Sequence, residues 1–413
     1  MKRLAIPLLS ALLVGLPVLW AWPEELSFWR SLGIVLGWTG CGLLLASLLL
    51  MVREPRLADA LGGLERMYRW HHGLGTLGYL ALALHPLALA ADYLNDSPAL
   101  AWATLWPADQ GWPLWFGWLG LILLMLGTGL AHGRLAYGRW RLLHLLLVPA
   151  IGFGFAHLIL LGLSEPIGFS MLLAALFLLW RFLRADLRLA ARPYLVSQVQ
   201  RVAQDIVELD LRPLATPIAA TPGQFVMLSL GAGSDFRGCG EAHPFTISGI
   251  DAAGQLRLAI KALGDCTRHM QAVRIGTPAR IEGPYGHFLA AEGSRQQLWL
   301  AGGIGITPFL ASLRDKAPTT PTTLLYCYRS DDDAAYVGEL RAMAETMSQL
   351  TLHCHADNGQ ATSLDQLLPT GEALADCQCY LCGPPGMIEA ARCLLTERGV
   401  PSAHIHFEAF DFR

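Results

Sequence analysis

YRWHHGLGTLGYLALALHPLAL, residues 68–89, and RLLHLLLVPAIGFGFAHLIL, residues 141–160, each carry a histidine near either end: His71 and His85 in the first, His144 and His157 in the second. An imidazole inside a membrane span is costly, so it faces the bundle interior and acts there. The fourteen positions from His71 to His85 separate the two rings by about 20 Å along a helix axis, and steps of about 100° return both to nearly one face. His144 and His157 are thirteen apart, off-face in an ideal helix, but Pro149, Gly152 and Gly154 lie between them and can change the turn count. Neutral imidazole is a common axial ligand of haem iron, and two from facing helices leave the iron no vacant position. Two such helices predict two haem b sites at two depths, ligated by His71, His85, His144 and His157. The competing reading, histidines that merely hydrogen-bond neighbouring helices, explains single residues but not two matched pairs. His72 is a rival ligand to His71 that spacing does not exclude. His132 has no partner at matching depth and is assigned to the interface.

Working outward, the 413 residues allow two or three domains. Mean hydropathy of +0.40 points to a membrane protein, but the average hides a division at about residue 190. The first part is almost continuously apolar; the second reads as a soluble sequence and carries most of the 33 acidic residues. A net charge of -3 speaks against a nucleic-acid partner. Eight of the nine cysteines follow residue 200 without a paired framework, which fits a reducing compartment.

Six apolar segments are long enough to span a bilayer: 4–22, 31–52, 71–93, 113–131, 140–162 and 166–183. Lys2, Arg3, Arg53, Arg56, Arg66, Arg69, Arg134, Arg139, Arg181, Arg184, Arg188 and Arg192 fall at alternate ends, opposite loops with Arg30 and six acidic residues. The positive-inside rule then puts both termini of a multi-pass inner (plasma) membrane protein in the cytoplasm. Trp20, Trp22, Trp102, Trp106 and Trp112 form an outer interfacial belt. The first segment could be taken for a signal peptide; no convincing small-x-small site follows, so it is read as a retained span. In this orientation His71 and His144 lie at the inner depth, and His85 and His157 at the outer.

From about 192 the pattern turns to short alternating strands, including FVMLSL, HPFTISGI and QLRLAIKAL, without intervening helices, which predicts an antiparallel barrel. After about 293, strands such as QLWLAGG, TTLLYCY and CQCYLCG alternate with helical runs, which predicts a parallel α/β layer. The expected fold is therefore multi-domain: an all-α six-helix transmembrane bundle (1–190), an antiparallel β-barrel (191–292) and an α/β Rossmann-like domain (293–413). In the last, Gly302, Gly303 and Gly305 let backbone approach a pyrophosphate at a helix N-terminus, with the Thr307 hydroxyl nearby. Cys377, Cys379 and Cys382 lie along one strand pattern and lack a fourth ligand for a metal cluster.

HPFTIS (243–248), IKALGDCT (260–267), GPYGHF (283–288), the glycine loop, YRS (328–330) and CGPPGM (382–387) follow in fixed order. This series resembles the ferredoxin-NADP reductase module. With the paired histidines, nearly the whole chain resembles the NADPH oxidase and ferric reductase family in its compact bacterial form. The resemblance implies that His243, Pro244, Phe245 and Thr246 lie against the flavin of FAD. It also implies that Lys261, Gly264, Thr267 and Arg268 hold its pyrophosphate, and that Gly302, Gly303, Gly305, Thr307, Pro308 and Gly383 hold the nicotinamide nucleotide. Arg329 matches an arginine that grips the 2′-phosphate of NADPH, with NADH the alternative donor. Cys382 falls beside the nicotinamide, and Phe410 or Phe412 covers the flavin. The implied activity is an NAD(P)H oxidase or ferric reductase: electrons pass from cytosolic NAD(P)H through FAD and two haems to an outer acceptor, first O2 giving superoxide. A ferric chelate, or a partner protein served by a haem-bearing relay, is the alternative. Where some eukaryotic members keep a further histidine beyond the outer ligand, this chain has Leu89. No obligatory protein partner is expected.

Overall fold

The computed structural model describes residues 5–20, 22, 24–94, 96–106, 108, 111–129, 137–162, 165–233, 236–289, 295–358, 364–369, 374 and 376–408. His132, Phe410 and Phe412 lie outside the described residues. The chain divides into two compact units, 1–189 and 190–413.

The first unit is helical: α1 (Ala5–Trp20), α2 (Phe28–Leu50), α3 (Pro55–Leu61), α4 (Leu64–Asp92), α5 (Pro98–Leu105), α6 (Gly111–Gly129), α7 (Tyr137–His144), α8 (Leu147–Leu160) and α9 (Glu165–Arg181). Among the described residues, five stretches are long and apolar enough to cross a membrane, with α7 and α8 counted as one. α1, at 16 residues, is shorter than the roughly 20 that a span needs, so five of the six expected spans meet the length criterion. Helix starts follow local chemistry. Ser27 accepts the Arg30 amide at 3.2 Å, and Glu54 caps α3 ahead of Pro55 by accepting the Leu57 amide at 2.7 Å.

The pattern on α4 is inverted relative to a soluble helix. Leu77, Leu80, Leu84 and Leu87 are exposed, while Leu74, Gly78, Ala81 and Ala88 face inward on the stripe that carries His71 and His85. Small residues bring helices close. A Cβ on Gly78 would lie 3.2 Å from the Gly40 carbonyl of α2, and one on Gly120 of α6 would lie 3.2 Å from the Ala150 carbonyl of α8.

His144 and His157 sit on two helices. Between them Leu146 and Val148 donate to carbonyls only three residues back, at 3.0 and 3.1 Å. Pro149 has no N–H, and its ring crowds the Leu145 carbonyl. The ideal-helix angle between the two histidines therefore does not apply.

In the second unit, β1 (Arg192–Ala203), β2 (Ile206–Pro213), β3 (Phe225–Leu230), β4 (Cys239–Ile250), β5 (Leu256–Lys261) and β6 (Pro278–Tyr285) close a barrel in the order β1-β2-β5-β4-β3-β6. Every pairing is antiparallel. Its core is made by inward side chains such as Val196, Leu209, Val226, Leu228, Ile247, Leu258 and Ile281. A short helix α10 (Asp265–His269) follows β5.

Then β7 (Gln297–Gly302), β8 (Thr322–Tyr328), β9 (Leu350–Ala356), β10 (Gln378–Cys382) and β11 (Ile405–Glu408) form a sheet in the order β11-β10-β7-β8-β9, with helices α11 (Thr307–Asp315), α12 (Val337–Thr346), α13 (Leu364–Leu367) and α14 (Pro385–Glu397). All its pairings are parallel. α11 buries Phe309 and Leu310 completely, each contributing about 1.5–3 kcal/mol. Phe309 packs between Trp299 and Phe288, with ring centroids 5.1 and 5.7 Å away.

Candidate functional site

In the helical unit the structure brings His71 and His144 together. Their ring centroids are 6.2 Å apart and the planes cross at 74°. A metal–imidazole nitrogen bond is about 2.0 Å, so the gap suits one ion with a ring on each side.

Three of the four rings are held from behind. His85 Nδ1 donates to the Gly33 carbonyl at 2.6 Å, and His157 Nδ1 donates to the Pro113 carbonyl at 2.7 Å. His71 Nδ1 lies 3.1 Å from the Ser47 carbonyl and 2.7 Å from its hydroxyl. Each bond fixes the proton on Nδ1 and leaves Nε2 as the donor atom for a metal. The device occurs twice with one spacing. A Cβ on Gly37, four residues after Gly33, would stand 3.1 Å from His85 Nδ1, and one on Gly117, four after Pro113, would stand 2.9 Å from His157 Nδ1. His144 stacks on Trp140, with centroids 5.0 Å apart and planes 15° apart. His72 is exposed, which separates it from its neighbour. The donor set, neutral imidazoles from facing helices in an apolar interior, fits a bis-histidine haem.

In the second unit, His243, Pro244, Phe245 and Thr246 lie on β4, paired with Leu228, Met227, Val226 and Phe225 of β3. Thr267 caps the turn before α10, its hydroxyl accepting from the Leu263 and Gly264 amides at 2.9 Å each. Lys261 pairs with Asp205 at 3.6 Å and Arg268 with Asp265 at 3.0 Å. The capping role of Thr267 and these two ion pairs were not legible in the motif.

The glycine loop sits at the carboxyl edge of the parallel sheet, where ligands of such folds bind. Gly303 takes φ +53°, and a Cβ on Gly305 would lie 2.2 Å from the Cys382 carbonyl, so the loop and the CGPPGM turn touch through backbone. The buried Thr307 hydroxyl donates to the Ile304 carbonyl at 3.0 Å, and Pro308 is buried beside it. Gly383 abuts Gly302, and Arg329 is exposed just beyond β8. Cys382 is buried opposite Ala301 and Glu408. Burial, with the Glu408 carboxylate adding in the same sense, keeps its thiol protonated. Glu408, passed over in the sequence, also reaches the barrel, its Oε1 3.1 Å from the place of a Gly286 Cβ.

Three family models match in the order of these elements. Residues 36–155 match a ferric reductase like transmembrane component, 192–288 an FAD-binding domain and 299–393 an oxidoreductase NAD-binding domain. The chain has the domain architecture of the NADPH oxidase and ferric reductase family. Like that family it is a membrane oxidoreductase with FAD-binding and NAD-binding domains.

The chain is 28% identical over 229 residues to the naphthalene 1,2-dioxygenase system ferredoxin--NAD(P)(+) reductase component of Pseudomonas putida, which covers 52% of this chain and 67% of that protein. Vanillate O-demethylase oxidoreductase of the same species is 30% identical over 221 residues, covering 50% and 65%. The chain thus spans about two-thirds of the length of these relatives. The flavohemoglobin structure from Malassezia yamatoensis, at TM-score 0.50 and 18% identity over 93% of this chain and 99% of that one, is a likeness of fold.

Proposed function

We propose that the chain takes electrons from NADPH, with NADH the alternative donor, and delivers them one at a time to O2 across the membrane, giving superoxide. The observation that carries this reading is the His71–His144 pair, 6.2 Å apart inside an apolar helical unit, in a chain that also has FAD-binding and NAD-binding domains. When bound, FAD divides the two electrons of a hydride and two b haems accept them singly.

His71 and His144 are the residues to hold the inner haem, and His85 and His157 the outer one. Ser47, Gly33 and Pro113 orient three of these rings. The β4 segment His243–Thr246 takes the flavin; Lys261, Gly264, Thr267 and Arg268 take its pyrophosphate. Gly302, Gly303, Gly305, Thr307, Pro308 and Gly383 take the nicotinamide nucleotide. Cys382 stands by the reacting carbon as a neutral thiol that fills space without competing as a nucleophile. Phe410 or Phe412 is assigned to the flavin face. Both termini are assigned to the cytoplasmic side of the inner membrane, and the domain boundaries to 190/191 and 292/293. The match to a ferric reductase like component favours a ferric chelate as the second acceptor.

The test is direct: purified full-length chain with NADPH is expected to show reduced b-type bands and cytochrome c reduction sensitive to superoxide dismutase. Missing bands overturn the haem assignment. Bands with reduction insensitive to the dismutase overturn the O2 assignment in favour of a ferric chelate.

Two variants sharpen it. Gly117→Val crowds His157 and is expected to weaken outer-haem retention about 10- to 100-fold, as loss of a ligand's supporting shell does, read as faster haem transfer to an excess scavenger. Arg329→Ser removes a charge-assisted contact and is expected to raise the KM for NADPH about tenfold while sparing NADH; equal effects on both nucleotides refute that role.

A further inference from the structure

Cys239 opens β4 four residues before His243, and Cys266 lies in α10 between Gly264 and Thr267. The two are bonded as a disulfide across 27 residues of sequence, with Cα atoms 6.0 Å apart. On the flavin reading above, the bridge ties the strand assigned to the flavin ring to the turn assigned to its pyrophosphate. The other seven cysteines are free thiols, Cys393 exposed and Cys377, Cys379 and Cys382 buried. In a unit assigned to the reducing side of the membrane, a lone disulfide among free thiols is of the transient, sensing kind.

The bridge also has a built-in proton acceptor. Between Cys239 and His243, four steps of β4 face two of β3, from Leu230 to Leu228, and this bulge folds the imidazole back toward the sulfur. His243 Nε2 lies 3.9 Å from Cys239 Sγ and 3.6 Å from Glu241 Oε2. Burial, against the pull of Glu241, holds the imidazole below its usual range, neutral and able to take a thiol proton.

We propose that Cys239 and Cys266 form a reversible lock on the FAD site, closed by oxidation and opened by reduction. The inference rests on the flavin reading. In closing, two thiols and one molecule of hydrogen peroxide give the disulfide and two molecules of water; the sulfurs lose two electrons to the O–O bond. In opening, a dithiol reductant attacks one sulfur and then closes on itself, leaving both cysteines as thiols and the reductant as a disulfide. Closed, the bridge limits independent motion of β4 and α10, so less order has to be imposed when FAD binds.

Full-length chain in detergent, treated with hydrogen peroxide or with dithiothreitol, is diluted while free flavin fluorescence is followed. FAD release is expected to be about tenfold faster after reduction, with a 239–266 cross-link mapped by mass spectrometry only after oxidation. Cys266→Ser is expected to release FAD at the reduced rate under both treatments. Equal release rates in the two wild-type samples, or an oxidised sample without that cross-link, overturn the lock. So does one equivalent of zinc held by the reduced pair with His243, whose ligand atoms all lie within 4.8 Å of one another. A chain that binds no FAD in either state, yet still shows the cross-link, overturns the flavin reading and the lock with it.

Discussion

His85→Leu is expected to cut electron delivery to the outer acceptor by at least about 100-fold, since even supporting partners of a metal ligand are worth 10- to 100-fold. Leucine is a good helix former of comparable bulk, so α4 keeps its length and its inward stripe of small residues. What is lost is one imidazole, together with the hydrogen bond from its Nδ1 to the Gly33 carbonyl. Haem content is expected to fall from two per chain to one, because His71 and His144 form a separate pair. Reduction of an artificial dye by NADPH, which needs only the flavin half, is expected to continue. Three readouts on one preparation therefore move differently: haem stoichiometry, dye reduction and superoxide output. Unchanged superoxide output in this variant refutes the outer-haem assignment. His72→Leu, at an exposed neighbour of His71, is the matched control and is expected to leave all three in place.

The sequence carried the parts of this arrangement that depend on local periodicity. Fourteen residues put His71 and His85 on one face of α4, and alternation marked the barrel strands. It did not carry what depends on distant chain. Gly33 lies 52 residues from the histidine that it supports, and Pro113 lies 44 from His157; no repeat in composition marks a backbone carbonyl as an acceptor. The break before α8 needed the geometry around Pro149, and the proline alone did not say where the helix would restart. β9, LTLHCHA, alternates as a strand does, but Leu350 is its one buried residue, so it lacks the continuous apolar run that marks the central strands of a parallel layer. Cysteine spacing showed no paired framework, whereas Cys239 and Cys266 are bridged. Closure of the barrel brings the start of β4 beside α10, a proximity that cysteine spacing does not encode.

Arg314→Ala is expected to destabilise the 190–413 unit by about 3–5 kcal/mol, the range for breaking one side of a buried ion pair. Arg314, on α11, donates to Glu208 of β2 at 2.8 Å, to Glu339 of α12 at 2.7 Å and to the Ser248 carbonyl of β4 at 2.9 Å. It thereby joins the barrel to the nucleotide layer through one guanidinium. Its side chain is 12% exposed and that of Glu208 5%, so solvent screens this pair little; Glu339, at 36%, contributes less. Burial alone would push the Glu208 carboxyl up, but the hydrogen bonds and charge of Arg314, with the Ser248 hydroxyl, carry it below its ordinary value. A carboxylate lowered in the folded state adds stability above its unfolded pKa of about 4.3, and that stability is lost as pH falls through the lower folded value. Without Arg314 the sign reverses. Burial then raises the carboxyl, and acidification relieves a buried, uncompensated charge. The gap between wild type and variant is therefore expected to be widest at neutral pH and to narrow below about pH 4. The temperature at which the unit loses protease resistance in the full-length chain measures it. Adding Glu208→Gln to Arg314→Ala is expected to recover part of the loss at neutral pH, because the stranded charge is gone while an amide can still meet Ser248. A double variant no more stable than Arg314→Ala would mean that lost packing, and not the uncompensated carboxylate, sets the cost.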